Sequence, residues 1–261
     1  MTRLEIAIKA AVDAGDLLMD NYGKIHETKN KESLRDVVSE VDKLSEDKVV
    51  SLLKEFDPNS CILTEESGMI GDEGPKMWIV DALDGTVNYI HNVPLFCVSV
   101  SYWVDGDPHV GVIYNPYEKE VYYAEKDKGA FLNQRKLSVT KTNIDMGISS
   151  MAFSGRAYNP SKRASEFQIF GDLNDISQGC LRTGSAAMNL AYIASGKFSI
   201  AIGKANKLWD VAAGMLIAKE AGANLDYNIT DKDNSLVDYL CSSSISMHDL
   251  KEKIDINYLD L

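Results

Sequence analysis

The sequence lacks the features that mark secreted, membrane-spanning or zinc-binding proteins. Only four cysteines occur among 261 residues, each standing alone, so no CxxC pair indicates zinc and no disulfide framework is predicted. No apolar run approaches the roughly 20 residues that span a bilayer. The opening MTRLEIAIKAA is already charged and helix-periodic, which does not fit a signal peptide. We therefore expect a cytoplasmic protein with reduced thiols and no membrane partner.

Positive charge is also scarce. The chain carries 27 Lys and Arg against 39 Asp and Glu, a formal net charge of −12. Such a chain is a poor general binder of nucleic acid. If an acidic protein acts on phosphates, it needs a local source of positive charge, and a bound metal ion is the obvious one. The 45% hydrophobic content is ordinary for a globular protein and leaves room for one or two domains.

Hydrophobic spacing predicts that the chain begins with two helices. Apolar residues recur every three or four positions over 4–22 and again from 41 to 56, as on one face of an amphipathic helix. A polar loop over 24–37 is predicted between them. Two short apolar strands, 61–64 and 77–80, follow. Each of these strands runs directly into an acidic residue.

The rest of the chain changes character at about residue 140. Residues 95–124 alternate like an antiparallel meander, with Asp105-Gly106 as a hairpin turn. Helices and strands then alternate. The later helices are predicted at 161–170, 184–194, 210–221 and after Met247, and the later strands at 147–153, 198–202 and 236–241. We expect an α+β half over 1–140 and an α/β half over 141–261. No linker rich in Pro or Gly separates them, so they should pack as one unit.

Two carboxylates stand three residues apart at the end of the second short strand, in Asp81-Ala82-Leu83-Asp84-Gly85-Thr86. Carboxylate and carbonyl oxygens are the ligands that magnesium prefers. Two carboxylates in one turn can hold two ions roughly 3.5–4 Å apart, as in two-metal phosphoryl chemistry. The predicted helix start at Gly85-Thr86 offers free amides to a phosphate. The alternative is an ordinary Asp-Gly turn followed by a helix cap.

Two further acids occupy similar positions. Glu65 ends a strand, where its alternative role is that of a capping acid. Asp210 begins a predicted helix, where its alternative role is that of an N-cap. An acid at the end of one element needs no special explanation. Acids at the ends of three elements indicate one convergent metal site.

Four segments together resemble the ordered motif set of the inositol monophosphatase family. They are Thr64-Glu65-Glu66-Ser67-Gly68, Trp78 through Asn88, Gly184-Ser185-Ala186-Ala187 and Trp209-Asp210-Val211-Ala212. The match spans nearly the whole chain, and the motifs are specific jointly although each is weak alone. The resemblance implies an α+β fold, a layered αβαβα sandwich of the inositol monophosphatase and fructose-1,6-bisphosphatase type. It also implies a homodimer and a magnesium-dependent, lithium-sensitive phosphatase.

The resemblance also implies roles for individual residues. Two to three magnesium ions would be held by Glu65, Asp81, the carbonyl of Leu83, Asp84 and Asp210, with Asp42 holding the third ion through water. Thr86, with Glu65 or Asp42, would orient the attacking water. Substrate would contact Asp84, Asp210, the amides of Gly85 and Thr86, and the segment Gly184, Ser185 and Ala186. The implied reaction is in-line attack of an activated water on a small soluble phosphomonoester, without a covalent intermediate.

The chain departs from the family pattern in two informative places. Ala82 stands where the family has proline, so the turn gives up some stiffness. The stretch 201–207, before Trp209, lacks the acid with which inositol phosphatases bind substrate hydroxyls, and it carries Lys204 and Lys207 instead. One interpretation is a solvated loop. The other is a preference for a more anionic substrate, such as a bisphosphorylated sugar or nucleotide, with the two lysines facing the leaving group.

Two rival functions remain open at this level. An aspartyl-phosphate phosphatase would use a DxDGT nucleophile motif, but two residues separate the aspartates here, and Glu65 and Asp210 would be unexplained. A non-catalytic regulatory or binding protein on the same fold is the second rival. The presence of all the implied metal-ligand residues argues against it.

Overall fold

The computed structural model describes residues 1–24, 34–139, 143–153, 160–231, 235–243 and 247–255, and the single residues 245, 259 and 261, with side chains omitted at 34–39 and 160–162. The helices are α1 (Arg3–Asn21), α2 (Leu34–Phe56), α3 (Thr86–Ile90), α4 (Pro160–Ile176), α5 (Ala186–Ala194), α6 (Leu208–Glu220) and α7 (Met247–Lys253). None of the helices described is both long and apolar enough to cross a membrane.

Thirteen strands lie within the described ranges. They are β1 (Cys61–Thr64), β2 (Gly68–Ile70), β3 (Lys76–Asp84), β4 (Cys97–Val104), β5 (Asp107–Asn115), β6 (Glu120–Glu125), β7 (Gly129–Leu132), β8 (Arg135–Lys136), β9 (Ser149–Ala152), β10 (Cys180–Leu181), β11 (Ile200–Lys207), β12 (Asn224–Asp231) and β13 (Leu236–Ser242). The predicted elements are recovered, with shifted ends. Residues 25–33 of the predicted loop lie outside the described residues, and α2 begins inside that loop, at Leu34. Strands β2, β10 and β12 were not predicted.

The strands form two sheets. The first has the order β2-β1-β3-β4-β5-β6-β7-β8, and all its pairs are antiparallel except β1 with β3. The second has the order β10-β9-β11-β13-β12, parallel across β10, β9 and β11 and antiparallel beyond. This division matches the predicted change from an antiparallel to an alternating pattern near residue 140.

Helices and sheets stack in five layers. Helices α1 and α2 cover one face of the first sheet, and α5 and α6 lie between the two sheets. Helices α4 and α7 cover the outer face of the second sheet. Strand β11 shows the alternation that this stacking requires. Ala201 faces the α5–α6 layer, whereas Ile200 and Ile202 face α4 and α7. The predicted αβαβα sandwich is confirmed.

The sequences of the two helices in the middle layer reflect their position between the sheets. Helix α5 reads AAMNLAYIA, and α6 continues with VAAGMLIA after its first turn, with buried residues on every side. A helix that is apolar all round is buried all round. Here the cause is the sandwich, because each helix has a sheet on both sides. Asp210, in the first turn of α6, is therefore an acid at the start of a largely buried apolar helix.

Candidate metal centre and substrate cleft

The parallel pairing of β1 with β3 places two acids side by side. Thr64 pairs with Val80, so the next residue in each strand, Glu65 and Asp81, emerges at the same end of the sheet. Asp210 joins them from the first turn of α6, which packs on β3 and β4. The amide of Lys207 donates a 3.2 Å hydrogen bond to the Asp210 carboxylate, which fixes that side chain.

A bulge in β3 turns Asp81 and Asp84 toward the same side. Asp81 pairs with Ser99 and Asp84 with Cys97, so β3 advances three residues where β4 advances two. In a regular strand, residues three apart face opposite sides, and one extra residue reverses that. Both acids are buried, with Asp81 only 1% exposed. Carboxylate oxygens of Glu65, Asp81 and Asp210 lie within 4.8 Å of one another.

Burial and mutual repulsion dominate the electrostatics of this cluster. Burial, followed by the charges of neighbouring acids, raises the pKa values of Asp81 and Asp210 well above the ordinary range of aspartate. The same causes raise the pKa of Asp42 to about 8. The pKa of Glu65, the exposed member of the cluster, rises to about 7 through desolvation and the charges of Asp84, Glu66 and Glu46. In the cluster alone, the charged forms are therefore disfavoured.

Asp84 is tied to the helix layer. One of its carboxylate oxygens accepts hydrogen bonds from the hydroxyl of Ser185, the N-cap of α5, and from the amide of Ala187 at 2.9 Å. Burial raises the pKa of Asp84 to about 6, and these hydrogen bonds oppose the rise. The Gly184-Ser185-Ala186 segment is thereby fastened to the acids of β3. This contact joins the two halves of the chain at the site.

One face of α2 supports the cluster from below. Asp42 is buried, and its charge raises the pKa of Asp81. One turn later, the Ser45 hydroxyl donates a 2.9 Å hydrogen bond to the carbonyl of Ala82. Glu46, only 1% exposed, accepts hydrogen bonds from the amide of Glu66 at 2.9 Å and from a serine hydroxyl in the same turn. Helix α2 thus forms hydrogen bonds to both turns that carry acids, the turn after β1 and the bulge in β3. The sequence did not suggest this role.

The turn after β3 needs a glycine at position 85. Gly85 has φ +93°, and a Cβ there would lie 2.9 Å from the carbonyl oxygen of Leu95. Helix α3 begins at the next residue, and the first amides of a helix have no acceptor within it. The hydroxyl of Thr86 donates a 3.1 Å hydrogen bond to the carbonyl of Leu83. The predicted water-orienting hydroxyl and the predicted carbonyl ligand are therefore direct neighbours.

A cleft of about 180 Å³ adjoins the acids. It is lined by Asp84, Met151, Ala152, Phe153, Arg182, Gly184, Ser185, Ala186, Asn189, Asn206 and Asp210. The structure thus gathers Asp84, Asp210 and the predicted segment 184–186 around one space. Arg182 and Asn206 were missed. Arg182 immediately precedes the Thr183-Gly184-Ser185 stretch, and that position was the available signal.

The two lysines before Trp209 have different roles. The stretch 201–207 lies in β11, so its interpretation as a solvated loop is wrong. Lys204 is buried, and its ammonium is 2.9 Å from the carboxylate of the fully buried Asp238 in β13. The prediction that Lys204 pairs with a second phosphate is therefore also wrong. Lys207 lies 5.3 Å from the ring centre of Trp209, and its charge lowers the pKa values of Glu65 and Asp210.

The donor set suits a divalent cation. Buried carboxylates that repel one another are stable together only if they are protonated or share a counter-ion. Clustered oxygen ligands with several carboxylates are the preferred environment of magnesium. Fold and site together define a class, the five-layered αβαβα proteins with a cluster of acids where the first sheet packs on the middle helix layer.

The chain belongs to the inositol monophosphatase family, whose model matches residues 2–254. It is 36% identical to an inositol-1-monophosphatase from Synechocystis, over 85% of this chain and 77% of that one. It is also 36% identical to the Nus factor SuhB of Xylella fastidiosa, over 84% of this chain and 79% of that one. The solved inositol monophosphatase from Anabaena superposes with a TM-score of 0.79 at 30% identity, covering 97% and 96% of the two chains.

Proposed function

We propose that this protein is a magnesium-dependent phosphatase that hydrolyses a small soluble phosphomonoester. The observation that carries the proposal is the cluster of Glu65, Asp81 and Asp210 at the edge of a cleft large enough for a small ester. Family membership supports phosphatase activity. Lithium inhibition, a homodimer, a cytoplasmic location and two halves packed as one unit belong to the same proposal.

We assign separate metal-binding and phosphate-binding roles to the residues of the site. The acids Glu65, Asp81, Asp84 and Asp210, with the carbonyl of Leu83, would hold two magnesium ions, and Asp42 would help to hold a third. Magnesium, when bound, lowers the pKa of water and stabilises charge on the leaving oxygen. The amides of Gly85 and Thr86 hold the phosphate, since helix starts favour anions.

Thr86 is the proposed water-positioning residue. Its hydroxyl already lies next to the Leu83 carbonyl, close to the acids of β3. With Glu65 or Asp42 accepting a proton, this hydroxyl would orient the attacking water in line with the leaving oxygen. No side chain is needed as a nucleophile.

The testing experiment measures phosphate release with and without magnesium. The panel comprises inositol 1-phosphate, fructose 1,6-bisphosphate, adenosine 3′,5′-bisphosphate, NADP and p-nitrophenyl phosphate. We expect release in magnesium, no release in chelator and no trapped phosphoenzyme. Full activity in chelator would overturn the metal dependence. Trapping of a phosphorylated aspartate would favour the aspartyl-phosphate rival.

A bisphosphorylated substrate is a second candidate, favoured by Arg182. This exposed guanidinium lines the cleft and lies 5.2 Å from the ring centre of Phe153. A cation held there can pair with a second phosphate. Arg182→Gln should then raise KM for the bisphosphates selectively, and the effect should shrink in high salt. An equal change for inositol 1-phosphate would reject this candidate.

A regulatory role without catalysis is the alternative from another class. One relative carries the name Nus factor, which favours a partner other than a small ester. If the protein binds magnesium but releases phosphate from no member of the panel, this alternative gains and the phosphatase proposal fails.

A further inference from the structure

Asn88, in α3, connects the two halves of the chain beside the cleft. Its carboxamide nitrogen donates two hydrogen bonds, one of 2.7 Å to the carbonyl of Leu95 and one of 2.8 Å to the carbonyl of Thr183. Both hydrogens of the amide are therefore used. The first acceptor belongs to the same half of the chain as Asn88. The second lies 95 residues away, in the other half.

The first acceptor fixes the turn that carries Gly85. A Cβ on Gly85 would lie 2.9 Å from the carbonyl oxygen of Leu95 and 3.1 Å from the Cα of Phe96, so the two backbone segments are in close contact. The hydrogen bond from Asn88 holds the carbonyl that lies against Gly85. The amides of Gly85 and Thr86 are the groups proposed to bind the phosphate.

The second acceptor precedes the turn that carries Gly184. Gly184 has φ +85°, and a Cβ there would lie 3.0 Å from the carboxamide nitrogen of Asn88 and 3.1 Å from its oxygen. The carboxamide therefore packs directly against a glycine that lines the cleft. The hydroxyl of Thr183 extends this contact by donating a 2.6 Å hydrogen bond to Asn189, another lining residue. Asn88 thus lies between the two glycine turns.

A second connection runs beside this one, from Asp84 to the hydroxyl of Ser185. In the sequence, Gly85 lies between the two contact residues of the first half, and Gly184 lies between the two contact residues of the second half. Each glycine turn is therefore tied to the other on both sides of its glycine. Glycine gives a turn wide conformational freedom, so contacts of this kind are what restrict it.

We propose that Asn88 is a positioning residue that fixes the distance and orientation between the two glycine turns of the cleft. The Gly85 turn is proposed to hold the phosphate, and the segment from Gly184 to Ala186 is proposed to contact the substrate. Asn88 does not itself line the cleft, so it acts through these turns. The bound ester is thereby aligned for in-line attack. The inference rests on the proposed phosphatase function and deepens it.

The first test separates alignment from binding. Asn88→Leu keeps the approximate shape of the side chain but donates no hydrogen bond. Because a small misplacement of the reacting groups can cost on the order of 100-fold in rate, kcat for inositol 1-phosphate should fall about 10- to 100-fold. KM should change less than about threefold, since the groups that bind the ester remain. Asn88→Gln keeps the donor on a longer side chain and should recover part of the loss.

The second test does not depend on turnover. Amide hydrogen exchange, measured in chelator by mass spectrometry, reports how readily each turn opens. Asn88→Leu should accelerate exchange about tenfold in two peptides, 84–96 and 183–190, because each loses a hydrogen bond. Asn224→Leu is the matched control. Its carboxamide also donates to a backbone carbonyl, that of Ile245 at 3.1 Å, but at an exposed position outside the cleft, so neither exchange in these peptides nor kcat should change.

The outcomes distinguish this role from the phosphatase activity itself. An unchanged kcat in folded Asn88→Leu, or faster exchange in peptide 84–96 alone, would overturn the proposed role and leave the phosphatase intact. If thermal melting shows that Asn88→Leu is unfolded, Asn88→Ser takes its place with the same two measurements. A wild-type protein that releases phosphate from no ester of the panel in magnesium would overturn the proposed function, and the exchange rates would still decide whether Asn88 joins the two turns.

Discussion

Two bulges of the same form, one in β3 and one in β11, each contribute a side chain to the lining of the cleft, and they differ in the residues they carry. In β3 the bulge aligns two acids, Asp81 and Asp84. In β11 the bulge turns two residues toward the same side, Gly203, which has no side chain, and Asn206, which has a carboxamide. The first brings two carboxylates to one side of the strand, and the second brings a neutral carboxamide over a glycine. The same distortion of a strand thus positions charged groups in one sheet and an uncharged group in the other.

The contacts that hold the two bulges in place also differ in kind. The β3 bulge is held by hydroxyl and amide hydrogen bonds, from Ser45 to the Ala82 carbonyl and from the start of α5 to Asp84. The β11 bulge is held by a buried ion pair. Ala82 stands where family members have proline, and the Ser45 hydrogen bond offers an alternative restraint on that turn. The bulge that carries the acids is therefore held by several hydrogen bonds, whereas the bulge in β11 is held by one buried ion pair.

The largest effect is expected from removing a carboxylate that the bulge in β3 positions. Asp81→Asn keeps the shape of the side chain but removes a buried charge from the centre of the acid cluster. We expect kcat to fall to background, about a thousandfold or more, by the measure of lost electrostatic catalysis. Asp145→Asn, at an exposed position outside the cleft, serves as the control. Retained turnover in Asp81→Asn would remove this carboxylate from the reaction.

Thr86→Ala should have the next largest effect. The hydroxyl is proposed to act in the transition state, so kcat should drop about a hundredfold while KM changes little. Steady-state kinetics on p-nitrophenyl phosphate measures the split. If only the melting temperature falls, the Thr86 hydroxyl serves only to hold the turn through the Leu83 carbonyl, and water positioning lies elsewhere.

The α2 support predicts a smaller effect on metal binding. Glu46→Ala frees the turn that carries Glu65, and outer residues of this kind are worth about 10- to 100-fold in metal affinity. The magnesium concentration for half-maximal activity should rise accordingly, and Glu46→Gln should restore part of it. Asp47→Ala is the matched control, because Asp47 contacts the same Lys43 but is exposed. Equal effects of both alanine variants would show that the hydrogen bonds of Glu46 to the turn after β1 do not support metal binding.

Breaking the anchor of the second bulge should mainly affect stability. Lys204→Met removes the ammonium that lies beside the buried Asp238 carboxylate, and breaking a buried pair of this kind costs about 3–5 kcal/mol. Lys126→Met removes an ion pair to Asp107 at the surface, where water screens the charges, and should lower the free energy of unfolding far less. Chemical denaturation compares the two variants. Similar free energies of unfolding would show that the Lys204 pair does not hold the bulge.

The acid cluster also predicts how stability depends on pH. The pKa values of Asp84, Glu65 and Asp42 are raised to about 6, 7 and 8. The folded state then binds more protons than the unfolded state, so in chelator the free energy of unfolding should fall as pH rises from about 4 to about 8. Magnesium should flatten that slope. Melting temperatures across this range provide the check, and a rise with pH would contradict these shifts.

The clustering of the acids was predictable from sequence because its signals are local. Asp81 and Asp84 share one turn, and Glu65 ends the neighbouring strand, so the strand pattern alone places them together. The bulge in β11 depends on contacts between distant residues. Asp238 meets Lys204 only once β13 pairs with β11, and Ala205 adopts its positive φ without a glycine to announce it. Lys204 was therefore assigned to the substrate, and Asn206 passed unnoticed.

The most direct test of the metal centre is a calorimetric titration of magnesium into chelator-treated protein, in parallel with Asp81→Asn. The four-acid site predicts saturable binding of at least two ions to the wild type, loss of at least one in the variant, and a higher melting temperature for the wild type in magnesium. Identical titrations for the two proteins would contradict a metal centre built on Asp81.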